Sequence, residues 1–101
     1  MPDLVWTGGI SELKKISTMA EAYYIPVSPH IVLGGPIEFL ASAHVMKSIP
    51  NFYRLEHALT LVTEHNKYLE DPYEIINGEL YLNEKPGLGF ELNEAILTKM
   101  G

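Results

Sequence analysis

Cysteine is absent from this 101-residue chain, which excludes disulfides, thiolate metal sites and a cysteine nucleophile. Its absence fits a reducing compartment, and the expected location is the cytoplasm. Basic residues are scarce: seven Lys and Arg stand against thirteen Asp and Glu, for a net charge of −6. No basic stripe exists, so nucleic acid is not an expected partner. The same negative field repels a substrate carboxylate, which would need a metal ion or local donors to hold it. Long apolar runs are missing too. No window reaches the length of a transmembrane span, and the start MPDLVWTGG lacks the basic and apolar segments of a secretory signal. A membrane is therefore not an expected partner. Low-complexity tracts and strict repeats are also missing.

What is present is ordinary globular material: 47% hydrophobic residues, 20% charged, and a mean hydropathy of +0.03. The length predicts one small domain or a piece of a larger one. Short apolar runs alternate with helical periods. ISELKKISTMAEAYY, residues 10–24, predicts an amphipathic helix with Leu13, Ile16, Met19, Ala20 and Tyr23 on one face. Gly8 and Gly9 break the segment before it, and Ser11 is its expected N-cap. IPV, residues 25–27, predicts a short strand, and IVLGGP, residues 31–36, a loop into the next helix. PIEFLASAHVMKS, residues 36–48, predicts that second helix, with Pro36 in its first turn and a stripe of Ile37, Leu40, Ala41, His44 and Val45. NFYRLE, residues 51–56, predicts another strand. This alternation predicts α/β units with parallel strands over residues 1–56.

From His57 the pattern changes, and residues 57–101 read as a C-terminal extension. HALTLVTEHNKYLEDP is weakly periodic and predicts irregular chain with one helical turn. YEIINGELYL predicts a hairpin around Asn77-Gly78, the favoured pair for a type I′ turn. KPGLGFEL predicts turns, and its short GLG is turn chemistry rather than a phosphate loop. NEAILTKM predicts a terminal helix capped by Asn93.

Three titratable residues recur at an almost constant interval in the α/β part. Asp3 precedes the Gly8-Gly9 turn, His30 follows the first strand candidate, and Glu56 ends the next. The intervals are 27 residues from 3 to 30 and 26 from 30 to 56, close to one strand-helix unit each. An offset of that size returns each residue to the same end of a parallel sheet, where barrel enzymes collect their chemistry. His44 lies on an apolar stripe and is expected to be a hydrogen-bonded structural histidine. His57 and His65 fit no metal-ligand spacing and are expected in solvated loop. Tyr23, Tyr24, Phe52 and Tyr53 are expected to be packing residues.

The residues Pro2-Asp3, Gly8-Gly9-Ile10, Lys15-Ile16, Met19-Ala20-Glu21-Ala22-Tyr23 and Pro29-His30 carry a resemblance. Gly35-Pro36, His44, Ile49-Pro50-Asn51, Glu56 and the closing PGLGFEL extend it over nearly the whole chain. Together they resemble the mandelate racemase and muconate lactonizing branch of the enolase superfamily, nearest to its acid-sugar dehydratases of the gluconate and galactonate type. The fold this implies is the C-terminal part of a TIM-type (β/α) barrel, from the end of strand six through strand eight, with a hairpin-containing tail. The resemblance makes His30 a general acid/base, Asp3 the carboxylate that orients its ring, and Glu56 a residue near the substrate carboxylate. Abstracting a proton α to a carboxylate creates an enediolate, which needs a base of suitable pKa and a divalent ion. In the family that ion is Mg2+, held by three carboxylates on strands that precede residue 1.

The implied function is therefore the C-terminal segment of a magnesium-dependent acid-sugar dehydratase that eliminates water from an aldonate. This chain alone is expected to bind no metal and to be inactive. Two alternatives follow: a non-catalytic remnant or split-enzyme subunit that self-associates as a homo-oligomer or complements a partner chain, and a racemase or epimerase of the same superfamily. Val5 departs from the pattern, since many relatives carry a small polar residue there.

Overall fold

The computed structural model describes residues 1–31, 35–58 and 60–100. Val32, Leu33 and Gly34, the middle of the expected loop, lie outside them. The chain divides into two compact units, Met1–His57 and Ala58–Gly101.

The first unit opens with a short helix that sequence periodicity does not reveal, α1 (Leu4–Thr7). Asp3 creates it by accepting the Val5 and Trp6 N–H groups on Oδ1 at 2.9 and 3.0 Å. Gly8 stops it in the left-handed region, at φ 106°. Helix α2 (Ile10–Ala22) follows directly. Its N-cap is Gly9 and not Ser11: the Gly9 carbonyl accepts the Leu13 N–H at 3.1 Å, so Ser11 already lies in the first turn with its side chain exposed. The helix also ends earlier than expected. Tyr24 takes φ 57°, and the Ile25 and Tyr24 N–H groups return to Ala20 and Glu21 carbonyls at 3.0 Å each. This is a Schellman closure with tyrosine where glycine is usual.

The buried side of α2 differs from the expected one. Leu13 and Ser17 are fully buried, whereas Ile16, Met19 and Tyr23 face outward. Ser17 satisfies its hydroxyl on the Leu13 carbonyl at 2.8 Å, which lets a polar residue sit in the core. Lys14 Nζ reaches Ser48 O and Oγ at 2.8 and 2.9 Å, tying α2 to the chain after α3 (Gly35–Lys47). Helix α3 is buried nearly all round rather than along one stripe, as its largely apolar composition demands. Phe39, Leu40 and Met46 join the core, while Ile37 turns outward at 50% exposure. Tyr23, Tyr24, Phe52 and Tyr53 are likewise exposed, against the expectation that they pack.

The two strand candidates pair in parallel, but through a single bridge, Val27 with Phe52. Its rungs run from Val27 N to Asn51 O at 2.7 Å and from Tyr53 N to Val27 O at 2.9 Å. Pro29 has no N–H for the next rung, and the Ile25 N–H is already taken by the Ala20 carbonyl, which is why the pairing does not extend on either side of Val27.

The second unit starts with α4 (Thr60–Asn66), two turns where one was expected. Strands β1 (Ile75–Ile76) and β2 (Glu79–Leu80) pair antiparallel, with Asn77 and Gly78 at φ 52° and 77°. Those values are the type I′ turn that Asn-Gly predicts. Gly87 and Gly89, at φ 68° and 82°, form the expected turns. Helix α5 (Glu94–Met100) closes the unit, with Asn93 Oδ1 accepting the Ile96 N–H at 3.4 Å.

The centre of this unit is Tyr73, fully buried and edge-on to Phe90. Asn66 grips its backbone twice, accepting its N–H and donating to its carbonyl, both at 3.0 Å. His65 is not a solvated loop residue: it lies on α4, buried, with Nδ1 2.8 Å from Tyr73 Oη. Burial lowers the His65 pKa below its ordinary 6.5, partly offset by the Glu64 carboxylate, and pushes the Tyr73 phenol up to about 12. The folded unit thus favours the uncharged imidazole. The unfolded chain binds the proton more readily, so stability is full above pH 6.5 and falls as pH drops toward the folded-state pKa. The expected result is a lower urea midpoint for this unit at pH 5 than at pH 8. Residue-resolved NMR at Tyr73 and Phe90 reads it, and His65→Gln should flatten the dependence.

Candidate functional site

Asp3 and His30 meet. They form an isolated parallel bridge, in which the His30 N–H donates to the Pro2 carbonyl at 2.7 Å. Their side chains then pair, with His30 Nδ1 3.1 Å from Asp3 Oδ2. Asp3 serves two structures with its two oxygens. Oδ1 caps α1 and Oδ2 faces the imidazole, so the cap fixes the rotamer that presents the second oxygen.

The two partners differ in solvent access: the Asp3 side chain is 7% exposed and that of His30 42%. Burial alone would raise the Asp3 pKa. The Trp6 N–H, the His30 ring and the Val5 N–H outweigh it, so the carboxyl is held below its usual 3.8. An ionised carboxylate only accepts hydrogen bonds, so Nδ1 must carry the proton between them. In the neutral ring this leaves the Nε2 lone pair as the base. Among the described residues nothing pairs with Nε2.

Glu56 sits one peptide away. Its Oε2 accepts the Ile31 N–H at 2.7 Å, and the side chain is otherwise exposed. Thus Asp3 lies against His30 and Glu56 against the peptide that follows it. His44 is half-buried on α3 and engaged by a neighbour. His57 stacks on Phe39 with ring centroids 4.1 Å apart, so it too is no solvated loop residue.

Sequence reasoning missed the groups that anchor the dyad, the backbone N–H groups of Val5 and Trp6. The signal was available: an Asp directly before a short apolar run is an N-cap pattern. It also missed Ser28, whose hydroxyl accepts the Arg54 N–H at 3.2 Å beside the Val27 bridge.

Acid/base chemistry is what this arrangement supports. Among the described residues no group of three or more His, Asp or Glu is arranged to hold a metal ion. The described residues do not by themselves form a magnesium site. Among the described residues no helix is long and apolar enough to cross a membrane.

Known proteins share this arrangement of sequence and fold. Residues 1–96 match the family described as enolase C-terminal domain-like. The chain is 41% identical over 92 residues to the D-xylonate dehydratase of Haloferax volcanii, covering 91% of this chain and 22% of that protein. It is 35% identical over 97 residues to the arabinonate dehydratase of Saccharolobus solfataricus, covering 96% of this chain and 26% of that protein. The crystal structure of an enolase from Pantoea ananatis with bound D-gluconate and Mg aligns with a TM-score of 0.86 at 31% identity, covering 96% of this chain and 23% of that one. The chain spans about a quarter of the length of these relatives. Its fold class is the TIM-barrel-like α/β class of the enolase C-terminal domain. The chain belongs to the enolase C-terminal domain-like family, within the mandelate racemase branch of the enolase superfamily.

Proposed function

We infer that this chain supplies the acid/base half of an acid-sugar dehydratase site, with His30 as the acid/base and Asp3 as its orienting carboxylate. The observation that carries this reading is the 3.1 Å contact between His30 Nδ1 and a carboxylate whose other oxygen caps a helix. Residues 1–56 are read as the barrel segment from the end of strand six through strand eight, and residues 57–101 as its extension. The substrate is an aldonate, bound with its carboxylate near Glu56, and the setting is a reducing cytoplasm.

The chemistry expected of His30 is one proton moved twice. Nε2 removes the proton from the carbon next to the substrate carboxylate, and the C–H electron pair passes into an enediolate. The imidazolium then gives a proton to the β-hydroxyl, which leaves as water. The enol that remains tautomerises to a 2-keto-3-deoxy acid. Asp3 stabilises the imidazolium in between and keeps its Nδ1 proton in place. Magnesium, which would stabilise the enediolate, is assigned to residues outside this chain.

The chain by itself is therefore read as inactive, and a complementing chain or a second copy as its partner. The surface supports the second point: Trp6, Met19 and Tyr23 are exposed at 85%, 69% and 76%. Exposed apolar side chains of this size are available for a partner to cover. The test mixes the purified chain with an upstream barrel polypeptide taken from a xylonate dehydratase, with D-xylonate and Mg2+. The expected outcome is 2-keto-3-deoxy acid from the mixture only, lost in His30→Asn, with light scattering reporting a complex. Magnesium-dependent turnover by the chain alone, or an active His30→Asn mixture, would overturn the reading.

A further inference from the structure

We propose that Glu56 is a positioning residue for His30, acting through the backbone: its carboxylate replaces a missing rung of the parallel ladder and fixes the peptide that follows the imidazole. The proposal rests on His30 being the acid/base, and it goes beyond placing Glu56 near substrate.

The ladder register makes the argument. Val27 bridges Phe52 in parallel, with rungs from Val27 N to Asn51 O and from Tyr53 N to Val27 O. An unbroken ladder would continue from residue 29 N to residue 53 O, then from residue 31 N to residue 55 O. Position 29 is proline and has no N–H, so the first of these rungs is lost. From there side chains take over. The Ser28 hydroxyl accepts the Arg54 N–H at 3.2 Å, and Glu56 Oε2 accepts the Ile31 N–H at 2.7 Å. The Ile31 N–H thus goes to a carboxylate where a regular ladder would offer the Leu55 carbonyl.

His30 is consequently held from both edges. On one side its own N–H is taken by Pro2 O at 2.7 Å and its ring by Asp3. On the other, the next N–H is taken by Glu56. Fixing the peptides on both sides of a residue fixes its φ and ψ, and so the direction of its Cα–Cβ bond. Only one Glu56 oxygen is engaged in this way, which leaves Oε1 for the substrate. One side chain then links the carboxylate end of the substrate to the placement of the acid/base.

The test uses the isotope-labelled 101-residue chain and two readouts: hydrogen exchange of the Ile31 amide and the ring 15N signature of His30. In Glu56→Ala the Ile31 amide should exchange about tenfold faster or more, and the Nδ1–H signature of His30 should weaken. Glu56→Gln keeps an oxygen acceptor and should restore both. Unchanged Ile31 exchange in Glu56→Ala overturns the proposal. So does a His30 ring that ignores the loss of Ile31 protection, or a Gln variant that behaves like Ala. Asp3→Asn separates this from the dyad reading, because it should change the His30 ring and leave Ile31 protected. An unchanged ring in that variant would count against the dyad and not against the Glu56 clamp.

Discussion

Phe39→Ala should unfold the first unit or bring it to the edge of unfolding. Phe39 is fully buried on α3 and stacks against His57. Truncating a buried phenylalanine removes its transfer free energy and leaves a cavity, at a cost of about 3–5 kcal/mol. Whole domains have only about 5–15 kcal/mol of stability, and a unit this short lies at the low end. Ile37→Ala is the matched control. It lies two residues away on the same helix but is 50% exposed, so its cost should stay below about 1 kcal/mol. Urea titration followed by far-UV ellipticity reads both; Trp6 is a poor reporter because it is already 85% exposed. Equal costs for the two variants would contradict the packing of α3.

Asp3→Asn should reverse the tautomer of His30. The asparagine Oδ1 can go on accepting the Val5 and Trp6 N–H groups that Asp3 now accepts at 2.9 and 3.0 Å. Its amide nitrogen then replaces the oxygen that faces Nδ1. An amide N–H donates, so Nδ1 must become the acceptor and the ring proton moves to Nε2. A flipped amide would instead point its donors at the two backbone N–H groups, which disfavours that escape. Long-range 15N–1H NMR of the His30 ring should therefore show the Nε2–H pattern in the variant and the Nδ1–H pattern in the parent. With the lone pair no longer at Nε2, proton abstraction in a complemented enzyme should fall by about 10²–10⁴-fold. Stability should change little, because the cap survives. Asp3→Ala should lose the cap too, at about 0.5–2 kcal/mol. Persistence of the Nδ1–H pattern in Asp3→Asn would disprove the orienting role.

The sequence made some of this legible and concealed the rest for identifiable reasons. Asn77-Gly78 fixes its turn because few residue pairs tolerate two positive φ values in a row, so the hairpin needed no tertiary knowledge. The spacing of Asp3 and His30 likewise reports a chain that leaves through α1 and α2 and returns beside its start, where the two residues bridge in parallel. The buried side of α2 was not legible. Hydrophobic periodicity shows which side of a helix is more apolar, whereas burial depends on what lies next to it. Here Ser17 is inside and Met19 outside. The strand candidates shrank to one bridge because backbone donors, not apolarity, limit a ladder: Pro29 has none, and that of Ile25 is spent on the end of α2. His65 was misplaced because a polar neighbourhood in sequence suggests solvent, and its buried partner Tyr73 is eight residues away.

Asp3 also makes the start of α1 and the imidazole pair a single thermodynamic unit. One carboxylate sustains both, and its pKa is held below 3.8 in the folded chain. Its stabilising contribution is present above that value and is lost as pH falls through the folded-state pKa. A single proton on Asp3 thus acts as a latch, weakening the helix cap and releasing the histidine in the same event. Protonation disturbs both at once, whereas Asp3→Asn would separate them, keeping the Oδ1 cap and changing only the group that faces the ring.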